Sequence, residues 1–109
     1  MYTPSRFRSP AAIFPVPAEE IARLVPLAAD QLGWGASDAQ KNDADRWNIP
    51  IQTGGAIPMI GSVTIERRAA LWSAVCFCWE GAPPFARRER ERFLRSLVLL
   101  SDVPGSYGA

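Results

Sequence analysis

"IERRAALWSAVCFCWEG", residues Ile65 to Gly81, decides the fold, because it contains the whole of the longest apolar stretch in the chain with no proline and no glycine before its last residue. Stepping 100° per residue puts Glu66, Ser73 and Glu80 on one narrow line. Ile65, Trp72, Cys76 and Trp79 then share one face, and Leu71, Val75 and Cys78 share the next. With Arg67 and Arg68 confined to its start, the stretch reads as a central helix that begins after Ser62 or Thr64 and stops at Gly81. Its tryptophans are expected in the core, the usual place of aromatics at helical spacing. In such a helix Cys76 and Cys78 point about 200° apart, so they neither pair nor grip one metal and act as small buried hydrophobes.

Downstream, an "APPF" corner leads into a last helix, "PFARRERERFLRSLVLL", residues Pro84 to Leu100. Ala86, Phe93, Leu97 and Leu100 define its apolar face, flanked by Leu94, and Arg87, Arg88, Glu91, Arg92 and Arg95 fall opposite. Glu91 lies four residues from both Arg87 and Arg95 and can pair with either. Counting Glu89 and Arg90, the stretch carries a net +3. Arg90 falls among the apolar residues, where it must snorkel outward or meet a carboxylate such as Glu66 or Glu80. Val98 and Leu99 turn toward the charged face, so this end of the helix is either covered by the N-terminal arm or offered to another molecule.

Upstream, Pro4, Pro10, Pro15 and Pro17 make residues 1–17 an extended arm. Its anchors, Tyr2, Phe7, Ile13, Phe14 and Val16, suit packing across the core first and a partner second. A first helix opens at Pro17 with Glu19 and Glu20 at the positive end of its dipole. It carries the stripe Ile21, Leu24, Val25, Ala28 and Leu32, and Gly33 caps it. Pro26 removes one bond and predicts a kink or two short pieces. Ser37 and Gln40 form a capping-box pattern for a short polar helix reaching Trp47. Asp43 and Asp45 resemble the start of a calcium loop but lack its glycine and closing glutamate, so a solvated face explains them. Ile49 to Ser62 reads as a connector, at most a small hairpin about Thr53, Gly54 and Gly55, with Pro50 and Pro58 limiting any pairing to an edge.

The expected fold is therefore all-α: a single domain over 1–109 built as a bundle of three to four helices, with an arm at 1–17, a helical core at 18–104 and a tail at 105–109. The longest apolar stretch, Ala69 to Trp79, is 11 residues, about half of the roughly 20 needed to cross a bilayer. Prolines interrupt the N-terminal apolar residues where a signal peptide needs a continuous run, so a cytoplasmic location with no membrane association is expected. The sequence has no histidine, no nucleophile elbow, no phosphate loop and no metal-ligand cluster. A non-enzymatic protein without cofactor or metal follows.

Net charge is +1, and the basic excess lies in the C-terminal half. Four tryptophans, arginine-rich faces and an apolar helix end match the composition of protein interfaces. The expected role is a protein-interaction module that binds another protein or itself: a subunit, an adaptor or an inhibitor, including an inhibitor of a host defence complex carried by a phage or mobile element. The alternative is nucleic-acid binding through the C-terminal helix, since the two last helices have the outline of a helix-turn-helix. The expected contacts are Arg87, Arg88, Arg92, Arg95 and Leu99, with Trp34 and Trp47 as aromatic candidates on the more polar side.

Overall fold

The stretch that reads as a central helix is a β-hairpin. The computed structural model describes residues 6–8, 11–43, 45–80 and 85–101. Within them Ile60–Ala69 forms strand β6 and Trp72–Glu80 forms strand β7, joined by Ala70 and Leu71 alone. Val63 and Ile65 on β6, and Val75, Phe77 and Trp79 on β7, are buried on one side of the sheet. Thr64, Glu66, Cys76 and Cys78 alternate with them on the other side and are half-buried. Period two with β-branched and aromatic side chains is the signature of a strand that packs on one face. A register shift between Arg67 and Ala69 accommodates the turn.

The all-α expectation is thereby overturned, together with the helical core at 18–104, the polar helix at 38–47 and the helix-turn-helix outline. Among the described residues seven antiparallel strands form one sheet with two helices. Strands β1 (Arg6–Arg8) and β2 (Ala12–Phe14) both pair with β7 as one broken edge. Strand β5 (Arg46–Gln52) pairs with β6, and β3 (Gly35–Ala36) and β4 (Gln40–Asp43) form the opposite broken edge along β5. The arm thus adds strands to its own sheet; Tyr2, Pro4 and Pro10 lie outside the described residues, as do Gly81 to Pro84 and the tail after Ser101.

Pro50 sits within β5 even though proline cannot donate to a ladder. Ser37 N–H donates to the Pro50 carbonyl at 2.9 Å, and in a strand one residue's nitrogen and carbonyl face the same side. The proline nitrogen therefore faces the break between β3 and β4, where no ladder bond is required. At the β4–β5 turn the Asp45 N–H donates to Asp43 Oδ1 at 2.8 Å, the local bond that makes Asp a turn residue.

Helix α1 (Ala18–Gln31) crosses the inner face of the sheet from β2 to β3 and is unbroken through Pro26. It ends in a Schellman motif: Trp34 N–H donates to Ala29 O at 2.8 Å and Gly33 N–H to Asp30 O at 3.1 Å. Gly33 takes φ +75° there, the left-handed cap that glycine adopts without steric cost. Helix α2 (Ala86–Ser101) follows β7 and packs beside α1 on the same face. Ser96 Oγ donates to Gln31 Oε1 at 2.6 Å, and the Trp34 ring stacks on Phe93 at 5.3 Å. Between helices and sheet lie Phe14, Ile21, Val25, Ile49, Ile65, Phe77, Trp79, Phe93, Leu94 and Leu97, all fully buried. Each contributes roughly 1.5–3 kcal/mol of transfer free energy.

Candidate functional site

Helix α2 offers a continuous outer stripe. At 100° per residue Arg88, Arg92, Arg95 and Leu99 fall within an arc of about 60°, and all four are exposed. Leu99 is 76 % exposed, more than any other large apolar side chain described. Phe85, 43 % exposed, precedes the helix, and the Arg88 guanidinium lies 4.9 Å over its ring. Arg87 is exposed beside this stripe. The stripe therefore places three arginines between an exposed apolar side chain at each end, Phe85 and Leu99.

Glu89 organises the positive charge. Its side chain is only a tenth exposed, and it sits in the first turn of α2, where the helix dipole favours an acid. Arg92 Nη1 donates to both of its carboxylate oxygens at 3.0 and 3.1 Å, and Arg88 Nε lies 3.9 Å away. Arg90, largely buried, pairs with Glu91 at 3.1 Å. Among the described residues no carboxylate partners Arg87 or Arg95. The helix keeps a net positive outer side.

Beside the first turn of α2 opens a cleft of about 540 Å³. Three segments far apart in sequence wall it: Leu32 to Trp34 after α1, the loop from Thr53 to Met59, and Phe85 to Arg92. The loop is fixed at its neck, where Thr53 N–H donates to Met59 O at 2.9 Å and Met59 N–H to Thr53 Oγ1 at 2.8 Å. It rests on the end of α1 at Gly54, where a Cβ would stand 2.9 Å from the Gly33 carbonyl oxygen. Ile57, 67 % exposed, stands at the rim. Leu32, Ile57 and Met59 thus meet a third wall that carries Phe85 together with Arg88, Glu89 and Arg92.

The two tryptophans expected as contacts are core residues. Trp34 is buried, stacked on Phe93 and edge-on to Trp79 at 6.2 Å, and reaches the cleft only as part of its floor. Trp47 is buried at the other end of the sheet, where Lys41 and Arg67 lie 5.3 and 5.5 Å from its ring centre. There Arg67 donates to both oxygens of Glu19 at 2.8 and 2.9 Å and to Asp45 at 3.0 Å. The bidentate bond from Arg67 holds the Glu19 carboxyl below its ordinary range, and the same bond raises the Arg67 guanidinium. This cluster ties the first turn of α1 to the end of β6 and is explained by structure.

Cys76 and Cys78 stand on the same outward face of β7, two residues apart on a strand and not divergent as on a helix. Among the described residues no group of three or more His, Cys, Asp or Glu side chains is arranged to hold a metal ion. No described helix is long and apolar enough to cross a membrane. The sequence reading missed Ile57, Met59, Phe85 and Glu89. For Phe85 and Glu89 a signal existed: an apolar residue just before a helix and an acid in its first turn mark a helix start. No protein-family model, curated protein or solved structure matches this chain.

Proposed function

We propose that this chain is a non-enzymatic protein-interaction module, a subunit, adaptor or inhibitor, that meets its partner through the outer side of α2 and the adjoining cleft. The observation that supports this reading is the stripe Arg88, Arg92, Arg95 and Leu99, bordered by Phe85 and Ile57: a row of arginines flanked by large exposed apolar side chains. Interfaces concentrate arginine and aromatic residues around apolar anchors. Leu99, 76 % exposed at the end of a packed helix, adds to Phe85 and Ile57 apolar surface that a partner docked on this side would remove from water.

Nucleic-acid binding is the second reading, favoured by Arg87 and Arg95, which have no carboxylate partner among the described residues. It ranks lower because Glu89 and Glu91 interrupt the cationic side and Leu99 ends it, whereas phosphate-tracking surfaces are continuous in charge. The test is photo-crosslinking in the cell that makes the protein, with a benzophenone side chain at Arg95 or Leu99 and, as control, at Lys41 on β4. Protein adducts from α2 positions only, including adducts to a second copy, support the module. Adducts to nucleic acid, or equal labelling from Lys41, overturn it.

A further inference from the structure

We infer that the cleft receives a large apolar side chain from an acidic segment of the partner, whose carboxylates pair with Arg88, Arg92 and Arg95 along α2. This rests on the reading of α2 as the contact side. The size of the cleft, about 540 Å³, lies within the range of pockets that bury a compact ligand. Leu32, Ile57, Met59 and Phe85 supply the apolar half of its lining, and Arg88 and Arg92 belong to the polar half. Charge complementarity selects the flanking groups. With a rise of about 1.5 Å per residue, Arg92 lies roughly 6 Å beyond Arg88 and Arg95 roughly 4.5 Å beyond that. Carboxylates four residues apart on a helix, or two apart on a strand, repeat at about 6–7 Å and match the first interval. Leu99 lies about 6 Å further along, placing a second apolar contact after the acids.

Three features favour a carboxylate-bearing peptide over a nucleic acid. The Phe85 ring is covered on one face by Arg88, and Trp34 is stacked on Phe93, so neither presents an open platform for a base. Ile57, Met59 and Leu32 are aliphatic and suit a side chain. Glu89 in the wall already satisfies Arg92, which leaves these arginines matched to carboxylates donated a few at a time and disfavours a continuous phosphate chain.

Glu89 also supplies the most discriminating variant. Because it occupies Arg92, removing its charge frees that guanidinium and removes a repulsion. Glu89→Gln therefore tightens binding of an acidic peptide, whereas a residue that only stabilised the helix would leave affinity unchanged or weaken it. The experiment is selection of a random dodecapeptide display library on the intact chain, followed by fluorescence anisotropy with the enriched peptides and a single-stranded oligonucleotide of similar length. The expected result is enrichment of peptides with one large apolar residue close to Asp or Glu. Their affinity should fall about tenfold in Ile57→Asp and in Arg92→Glu and rise about threefold in Glu89→Gln. Ile57 is exposed, so the loss in Ile57→Asp is not a loss of fold; unchanged thermal melting confirms this.

No enrichment, enrichment of peptides without acids, affinity indifferent to Ile57→Asp, or tighter binding of the oligonucleotide overturns the inference. If α2 positions still crosslink to protein in that case, the partner chemistry is wrong and the contact side stands. If crosslinking fails as well, both readings fall.

Discussion

Gly61→Ala tests the sheet at its centre with a single methyl group. Gly61 lies in β6 opposite Trp79 of β7. A Cβ built there meets the Cys78 carbonyl oxygen at 2.4 Å, Cε3 of the Trp79 ring at 2.9 Å and Trp79 Cα at 3.1 Å. The first contact is a full ångström inside the 3.4 Å at which ordinary packing begins, and two of the three atoms are backbone, which cannot swing away. Either β7 separates from β6 locally or the fully buried Trp79 ring is displaced from Phe77 and Trp34. Overpacking of this kind costs about 1–3 kcal/mol. Restricting the unfolded chain returns about 0.4–1 kcal/mol. With backbone atoms at 2.4 and 3.1 Å the cost lies in the upper part of that range, about 2–3 kcal/mol, so the net loss is about 1–2.5 kcal/mol, which for a domain near this size lowers Tm by roughly 4–20 °C. Differential scanning calorimetry of the two proteins reads this directly. The sign carries the argument: in a solvated connector, as the sequence alone suggests for residues 49–62, the same change would be neutral or stabilising, so an unchanged or raised Tm refutes the packing described.

Gly35→Ala is the matched control, since nothing lies within 4 Å of a Cβ there; a gain of about 0.4–1 kcal/mol is expected in urea unfolding. Phe77→Ala removes a fully buried ring 5.2 Å from Phe93 and should cost about 3–5 kcal/mol. Leu71→Ala, at a turn residue 66 % exposed, should stay within about 0.5 kcal/mol; comparable losses at both positions would restore the helical reading, in which Leu71 shares a face with Val75. The Glu19 carboxyl is held below its ordinary value of 4.5 by the Arg67 hydrogen bonds. A depressed carboxyl stabilises above the unfolded-state pKa and loses that contribution as pH falls through its folded pKa. The stability difference between the native protein and Glu19→Gln should therefore be constant near neutral pH and shrink below about 4.5, read from urea midpoints across pH; a difference that grows in acid contradicts the assignment.

The two helices are legible in sequence because their signals are local. Pro17, Glu19, Glu20 and Gly33 bound α1, and its buried Ile21, Val25 and Ala28 keep the 3.6-residue period. In α2 the buried Ala86, Phe93 and Leu97 do the same. The hairpin was hidden because its signals conflict. Residues 74–79 are apolar without interruption, so periods of two and of 3.6 fit equally well. The turn at Ala70 and Leu71 contains none of the glycine, asparagine or aspartate residues that favour two-residue hairpins. Ala69, Ala70 and Leu71 instead have high helix propensity. What was available was composition: Val75, Phe77 and Trp79, with Val63 and Ile65 before them, are strand formers. Pro50 misled in a different way, since its exclusion from ladders holds only for the side its nitrogen faces.

Legibility of the site divides along the same line. The alignment of Arg88, Arg92, Arg95 and Leu99 needs only the helical period, so the sequence places them together. The cleft needs Gly33, Ile57 and Phe85 to meet across three segments, and no local pattern encodes that meeting. The tryptophans follow from it. Trp34 is drawn inward because the Schellman turn bonds its N–H to Ala29 and lays its ring on Phe93. Trp47 occupies the inward phase of β5 with Ile49 and Ile51, covered at its end by Lys41 and Arg67. With both rings used by the core, the proposed contact side draws its apolar part from the exposed Leu99, Ile57 and Phe85, beside Glu89, which divides its charge between Arg88 and Arg92.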